Sequence, residues 1–292
     1  MSAPIPRLPN VVFLGAGQMA EAIMRGILAS GLLAPEQMVA SDIRAGRLEY
    51  VARELGVPVS ADNKQAVGQG GVVFLSVKPQ DIDGLLKEVA PFLRPDHLVV
   101  SIAAGVPLAR IGGELLGRQA VIRVMPNTPC LVRQGMAVLA AGTYATPEHL
   151  AMVETIFRAV GRAIVLPESY MDAVTALSGS GPAFVAMIVE ALGDAGVRVG
   201  LPRDVAHLLA TQTMLGTAHM LVETGEHPAR LKEMVTSPGG TAIAGVHALE
   251  RGGLRAAIMD AIVAATNRSR ALGHTHLPGE AGHHHHEQQE GS

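Results

Sequence analysis

The chain has 292 residues, 48% of them hydrophobic, and 23 basic against 26 acidic side chains give it a formal charge of -3. That is enough apolar material for two ordinary domains with large cores, while the charge balance leaves no footprint for nucleic acid or an anionic membrane and points to a small-molecule partner. Aromatic residues make up only 3% and Trp is absent, so the core is expected to be Ala, Val, Leu, Ile and Met, the mixture of buried parallel strands and packed helices.

The first ten residues lack a charged region followed by an apolar run, so no leader or membrane anchor is expected. Residues 11–14 form a short apolar run entering Gly15-Ala16-Gly17-Gln18-Met19-Ala20 and then a helical pattern. This is the context in which a GxGxxA turn holds a dinucleotide: Gly15 permits the turn, Gly17 admits pyrophosphate to the backbone, and Ala20 lets helix and strand pack closely. Further apolar runs at 38–41, 72–76, 98–101 and 120–124, with periodic segments between them, give the rhythm of a doubly wound parallel sheet. Runs at 136–140 and 163–166 extend it around a helix that starts after Thr146, whose hydroxyl caps ahead of Pro147. Asp42 closes the second strand, where a carboxylate grips the ribose hydroxyl of NAD, whereas Arg44 and Arg47 can pair with the 2'-phosphate of NADP. The residues leave that choice open. Ser76-Val77-Lys78-Pro79 leaves a strand at the carboxyl edge, with Lys78 either a cofactor contact or a surface lysine. Met125-Pro126-Asn127-Thr128-Pro129 must be a rigid loop at that edge, with Asn127 either a polar contact or a turn former.

After about residue 169 the strand signal disappears, and helices are expected at 182–196, 203–224, 228–235, 242–251 and 254–272. Ser178-Gly179-Ser180-Gly181-Pro182 is expected to join the two halves and start the first of them. The 205–222 segment carries no ionisable group except histidine, and an uncharged helix of that kind is expected to be buried between subunits. Ser237-Pro238-Gly239-Gly240 enters a helix and presents backbone N–H groups to a small anion such as a carboxylate. The tail at 278–292, with four consecutive histidines, is expected to be disordered and to hold no metal. The domains are thus 1–170, a Rossmann-type α/β unit; 171–277, all-helical; and the tail. The single cysteine, Cys130, excludes an internal disulfide and suits the cytoplasm.

GAGQMA at 15–20, SVKP at 76–79, AAGV at 103–106, MPNTP at 125–129, ALSGSGPA at 176–183 and EMVTSPGG at 233–240 occur in one order. In this the chain resembles the pyrroline-5-carboxylate reductases over 11–272. The resemblance implies hydride transfer from NADPH or NADH to the C=N carbon of 1-pyrroline-5-carboxylate, giving L-proline. It implies a substrate carboxylate on Ser237, Gly239, Gly240 and Thr241, with Thr241 the candidate catalytic residue. It assigns the cofactor to Gly15, Ala16, Gly17, Gln18, Met19, Asp42, Arg44, Asn63, Ser76, Val77, Lys78, Pro79, Ala103, Ala104 and Asn127. It implies a Rossmann domain followed by a helical domain interleaved in a homodimer, with dimers often assembled into decamers. Where the family commonly has a second threonine after the glycines, this chain has Ala242. The rival readings are a β-hydroxyacid dehydrogenase and a non-catalytic dinucleotide sensor. The first needs a lysine on an early helix of the second domain, and none lies on 182–192; the second leaves the Ser-Pro-Gly-Gly turn without a purpose.

Overall fold

The computed structural model describes residues 8–115 and 117–274; the His-rich tail at 278–292 lies outside them. Six parallel strands form the body of the first half: β1 (Val11–Leu14), β2 (Met38–Ser41), β3 (Val59–Ser60), β4 (Val72–Leu75), β5 (Leu98–Ser101) and β6 (Ala120–Met125). β7 (Gly135–Ala141) runs antiparallel to β6 and β8 (Gly161–Val165) runs parallel to β7, in the order β3-β2-β1-β4-β5-β6-β7-β8. The doubly wound, mostly parallel sheet expected from the sequence is present, with its last two strands reversed.

Side chains alternate between the faces of a strand. Val11, Phe13, Met38, Ala40, Val72 and Phe74 therefore meet one helical layer, α1 (Gln18–Ala29), α2 (Ala45–Leu55) and α6 (Pro147–Arg158). Val12, Leu14, Val39, Val73 and Leu75 meet another, α3 (Asn63–Val67), α4 (Ile82–Val89) and α5 (Leu108–Glu114). With helices on both faces, every residue of β1, β2, β4 and β5 is buried, which is why these strands read as continuous apolar runs. Phe13 stacks on Phe74 at 4.8 Å at the centre. Thr146 caps α6 as expected, its hydroxyl accepting the His149 N–H at 3.3 Å.

The joint between the halves is itself helical. A short helix α7 (Met171–Val174) runs into a π turn at Thr175–Gly179 and on into α8 (Gly181–Arg198), so residues 178–182 open α8 with Pro182 in its first turn, as expected, but follow a helical turn instead of a loop. The Ser180 N–H reaches back five residues to the Thr175 carbonyl at 2.8 Å, a widened turn that keeps the chain helical while accommodating one extra residue. α9 (Arg203–Thr224), α10 (Pro228–Met234), α11 (Thr241–Arg251) and α12 (Leu254–His274) follow where periodicity placed them. Small residues bring α8 and α9 together: a Cβ added at Gly196 would stand 2.8 Å from the Ala206 Cβ. α12 returns to the joint, where the buried Ser269 hydroxyl donates to Asp172 at 2.7 Å. Most large apolar side chains of α8 to α12 face outward from the single chain.

Candidate active site

The strand order reverses between β1 and β4, and in open α/β sheets ligands bind at the carboxyl ends of the strands beside such a reversal. The register sets Leu14 beside both Ser41 and Leu75, so the next residues, Gly15, Asp42 and Ser76, leave the sheet side by side. Gly15 has φ +97°, and a Cβ there would lie 2.8 Å from the Ser76 carbonyl carbon and oxygen. Only glycine fits that position. Gly17 precedes α1, has open space where a side chain would be, and no side chain caps the helix. The first N–H groups of α1, on Gln18 and Met19, are thereby left for a pyrophosphate. The buried Ser76 hydroxyl has no hydrogen-bond partner among the described residues, an orphan of the kind a ligand satisfies. A tight cradle, an open helix start and an orphaned hydroxyl together fit a dinucleotide.

Just past β2, Asp42 accepts from the Ala16 N–H at 3.1 Å and from Arg44 Nε, Nη2 and N–H at 2.9, 3.0 and 3.0 Å. Burial raises the Asp42 pKa, but these hydrogen bonds outweigh it and hold the carboxyl below its ordinary value. Arg44 lies over this carboxylate with 64% of its side chain exposed. Arg47 does not share that position, contrary to expectation: its guanidinium bonds the Ala16 carbonyl and pairs with Glu21 at 2.5 Å, underneath the turn. Asn63, at the start of α3, accepts from the buried Ser41 hydroxyl at 2.6 Å and donates to Glu88 at 3.1 Å. Ser41, Glu88 and Glu21 carry no motif, and only tertiary placement draws them in. Val77, Lys78 and Pro79 follow Ser76 away from the edge, with Lys78 exposed. Ala103 is buried and Ala104 exposed just after β5. Asn127, just past β6, spends its amide on Met136 N–H and on Ser178, so its side chain is engaged within the fold and is not offered to the cofactor, contrary to the assignment the resemblance gives it.

The Ser237-Pro238-Gly239-Gly240 turn is a separate cluster on the helical half. Gly239 takes φ +68°, and Gly240 sits extended at the start of α11, which no side chain caps. A Cβ at Gly240 would approach the Ser237 Oγ within 2.3 Å, so the missing side chain keeps hydroxyl and helix start on one open surface. Thr241, the first residue of α11, is exposed beside them. Among the described residues no cluster of three or more His, Cys, Asp or Glu suits a metal.

A family model for pyrroline-5-carboxylate reductase dimerisation matches residues 168–272, and one for NADP oxidoreductase, coenzyme F420-dependent, matches residues 10–105. A pyrroline-5-carboxylate reductase of Methanosarcina acetivorans is 46% identical over 90% of this chain and 98% of its own. That of Arabidopsis thaliana is 46% identical over 92% and 98%. The chain belongs to the pyrroline-5-carboxylate reductase family. The reductase is thus an oxidoreductase that converts pyrroline-5-carboxylate to proline with a nicotinamide cofactor. Its fold matches a reductase of this kind from Coxiella burnetii with TM-score 0.86 and 37% identity, covering 91% of this chain and 98% of that one. A Plasmodium falciparum pyrroline carboxylate reductase solved with NADP bound matches with TM-score 0.83 and 28% identity, covering 92% and 100%.

Proposed function

We propose that the reductase acts by positioning, with the substrate carboxylate on the Ser237-Gly239-Gly240-Thr241 turn and the cofactor on the edge built by Gly15, Gly17, Asp42, Asn63 and Ser76. The supporting observation is the uncapped start of α11 beside a glycine whose side chain would displace Ser237. Backbone N–H groups and the helix dipole there suit a carboxylate. When bound, the nicotinamide supplies the hydride. The protonated imine of pyrroline-5-carboxylate is already electrophilic, so the protein has mainly to orient it. Thr241 is the hydroxyl placed to satisfy the ring nitrogen in place of the threonine that Ala242 replaces. A neutral hydrogen bond is worth about 0.5 to 1.5 kcal/mol, so Thr241→Ala is expected to slow turnover roughly two- to twelvefold. A loss of a hundredfold or more in kcat, with cofactor binding intact, would make Thr241 an essential acid.

The division into 1–170 for the cofactor and 171–277 for substrate and assembly is part of this reading. So is a cytoplasmic homodimer with interleaved helical domains, gathered into decamers. One stretch, Glu168–Arg198, is long and apolar enough to cross a membrane by length and composition, but it falls within the match to the dimerisation model. We assign its apolar surface to subunit contact.

Both cofactors are expected to serve, with NADPH favoured through Arg44. Its position over Asp42 offsets the carboxylate that would otherwise repel a 2'-phosphate. Steady-state assays with each cofactor test the whole reading: NAD(P)H should be consumed with the cyclic imine acid, and faster turnover of hydroxy acids would favour the β-hydroxyacid dehydrogenases. In the same assay Arg44→Ala should raise the NADPH KM about tenfold, the loss of roughly one charge-assisted hydrogen bond, and leave NADH nearly unchanged. An equal effect on both would remove Arg44 from selectivity.

A further inference from the structure

Pro182 has no N–H, so the carbonyl four residues before it, that of Ser178, has no donor within the helix. A carbonyl orphaned inside a helical run needs a partner from elsewhere. Asn127 supplies it from 51 residues away: Nδ2 donates to the Ser178 carbonyl at 3.2 Å and lies 3.3 Å from Ser178 Oγ. Its Oδ1 accepts the Met136 N–H, at the start of β7, at 2.8 Å. Asn127 precedes a 3-10 turn at Thr128–Val132, where an asparagine ordinarily caps, yet its side chain makes no cap there. The neighbouring step is closed as well, because a Cβ at Gly179 would fall 2.3 Å from Met125 Cε. Two residues at the end of β6 therefore grip two consecutive residues of the π turn. α12 packs on the same turn, and its Ser269 bonds Asp172 one turn earlier.

We propose that Asn127 is a positioning residue for hydride transfer. Its amide clamps the π turn to the carboxyl edge of β6, so that the helical half carrying the substrate turn and the edge carrying the cofactor keep a fixed separation. The proposal rests on the reductase reading above. Hydride transfer needs its atoms in near-attack contact, and a displacement of about 1 Å can cost on the order of a hundredfold in rate. A clamp at the joint therefore acts on the chemical step while leaving cofactor affinity alone.

The test compares the full-length wild type with Asn127→Asp, which keeps the size of the side chain and the acceptor for Met136 but turns an oxygen toward the Ser178 carbonyl. With pyrroline-5-carboxylate and NADPH, kcat is expected to fall at least about tenfold. The NADPH Kd, read by fluorescence titration, should stay within about threefold, as expected when a remote group orients bound reactants without contacting the cofactor. The kinetic isotope effect with NADPH deuterated at the transferred position should rise, because hydride transfer becomes more rate-limiting. A second pair guards against misfolding: Asn127→Ala with Pro182→Ala gives the Ser178 carbonyl a helical N–H again, and should turn over faster than Asn127→Ala alone. Unchanged kcat and isotope effect in Asn127→Asp would overturn the clamp. So would a fall in kcat matched by an equal loss of folded protein without a change in isotope effect. An active wild type with an unaffected variant sinks the clamp alone, whereas a wild type inactive on pyrroline-5-carboxylate sinks the reductase reading and the clamp with it.

Discussion

Gly240→Val is expected to lower kcat/KM for pyrroline-5-carboxylate by about a hundredfold or more, with NADPH binding intact. Gly240 is in extended backbone, φ -77° and ψ 172°, so valine meets no conformational barrier there. The obstacle is local: the new Cβ would stand 2.3 Å from Ser237 Oγ and 3.2 Å from the Ser237 carbonyl. The hydroxyl must swing away, removing a hydrogen bond to a carboxylate worth about 1.5 to 3 kcal/mol, and the valine methyl groups then stand over the first N–H groups of α11. Losing the hydroxyl alone accounts for about one to two powers of ten, and obstruction adds to it. Gly240→Ala forces the same first displacement with less bulk and should fall between. The effect should appear chiefly in KM, since the turn holds the substrate and its transition state alike. Normal kcat/KM in the valine variant would place the carboxylate elsewhere. A parallel loss of NADPH affinity would mean that the change disturbs the whole fold.

The sheet is legible because its strands are buried on both faces, so that β1, β2 and β5 appear as short, almost wholly apolar runs. β3 leaves no apolar run of its own: Val59–Ser60 is two residues long and partly exposed, too short for periodicity to register. β8 begins two residues before the apolar run at 163–166 because its ladder starts at Gly161, whose missing side chain allows contact with Gly135, where a Cβ would fall on the backbone. That approach is a property of two strands and cannot be read from either. At the site, the glycines of both turns were readable because their conformations are encoded locally. The place of Arg47 is not legible, since nothing in the sequence tells that Glu21 and the Ala16 carbonyl compete for it. The Asn127 bond to Ser178 had one local clue, the proline four residues after the serine.

Leu215→Glu is expected to convert the reductase to monomers at concentrations where the wild type is dimeric. Along α9, Leu208, Leu215 and Val222 recur every seventh residue and are 68%, 55% and 52% exposed in the single chain. A seven-residue repeat keeps apolar side chains along one seam of a helix, and a seam open in one chain finds its partner in another copy. The isolated fold loses little from the change, because Leu215 is not part of its core. In a symmetric dimer the substitution occurs twice, and each unpaired buried carboxylate costs about 3 kcal/mol. Together they weaken association by roughly four powers of ten. Sedimentation velocity should show the shift, with a far-ultraviolet circular dichroism spectrum that keeps its helical form. Turnover should fall with the dimer and recover in part as protein concentration rises, since mass action restores the assembly. A variant that remains dimeric with full activity would put the seam outside the interface, and a monomeric, active wild type would remove subunit contact from the account of α8 to α12 altogether.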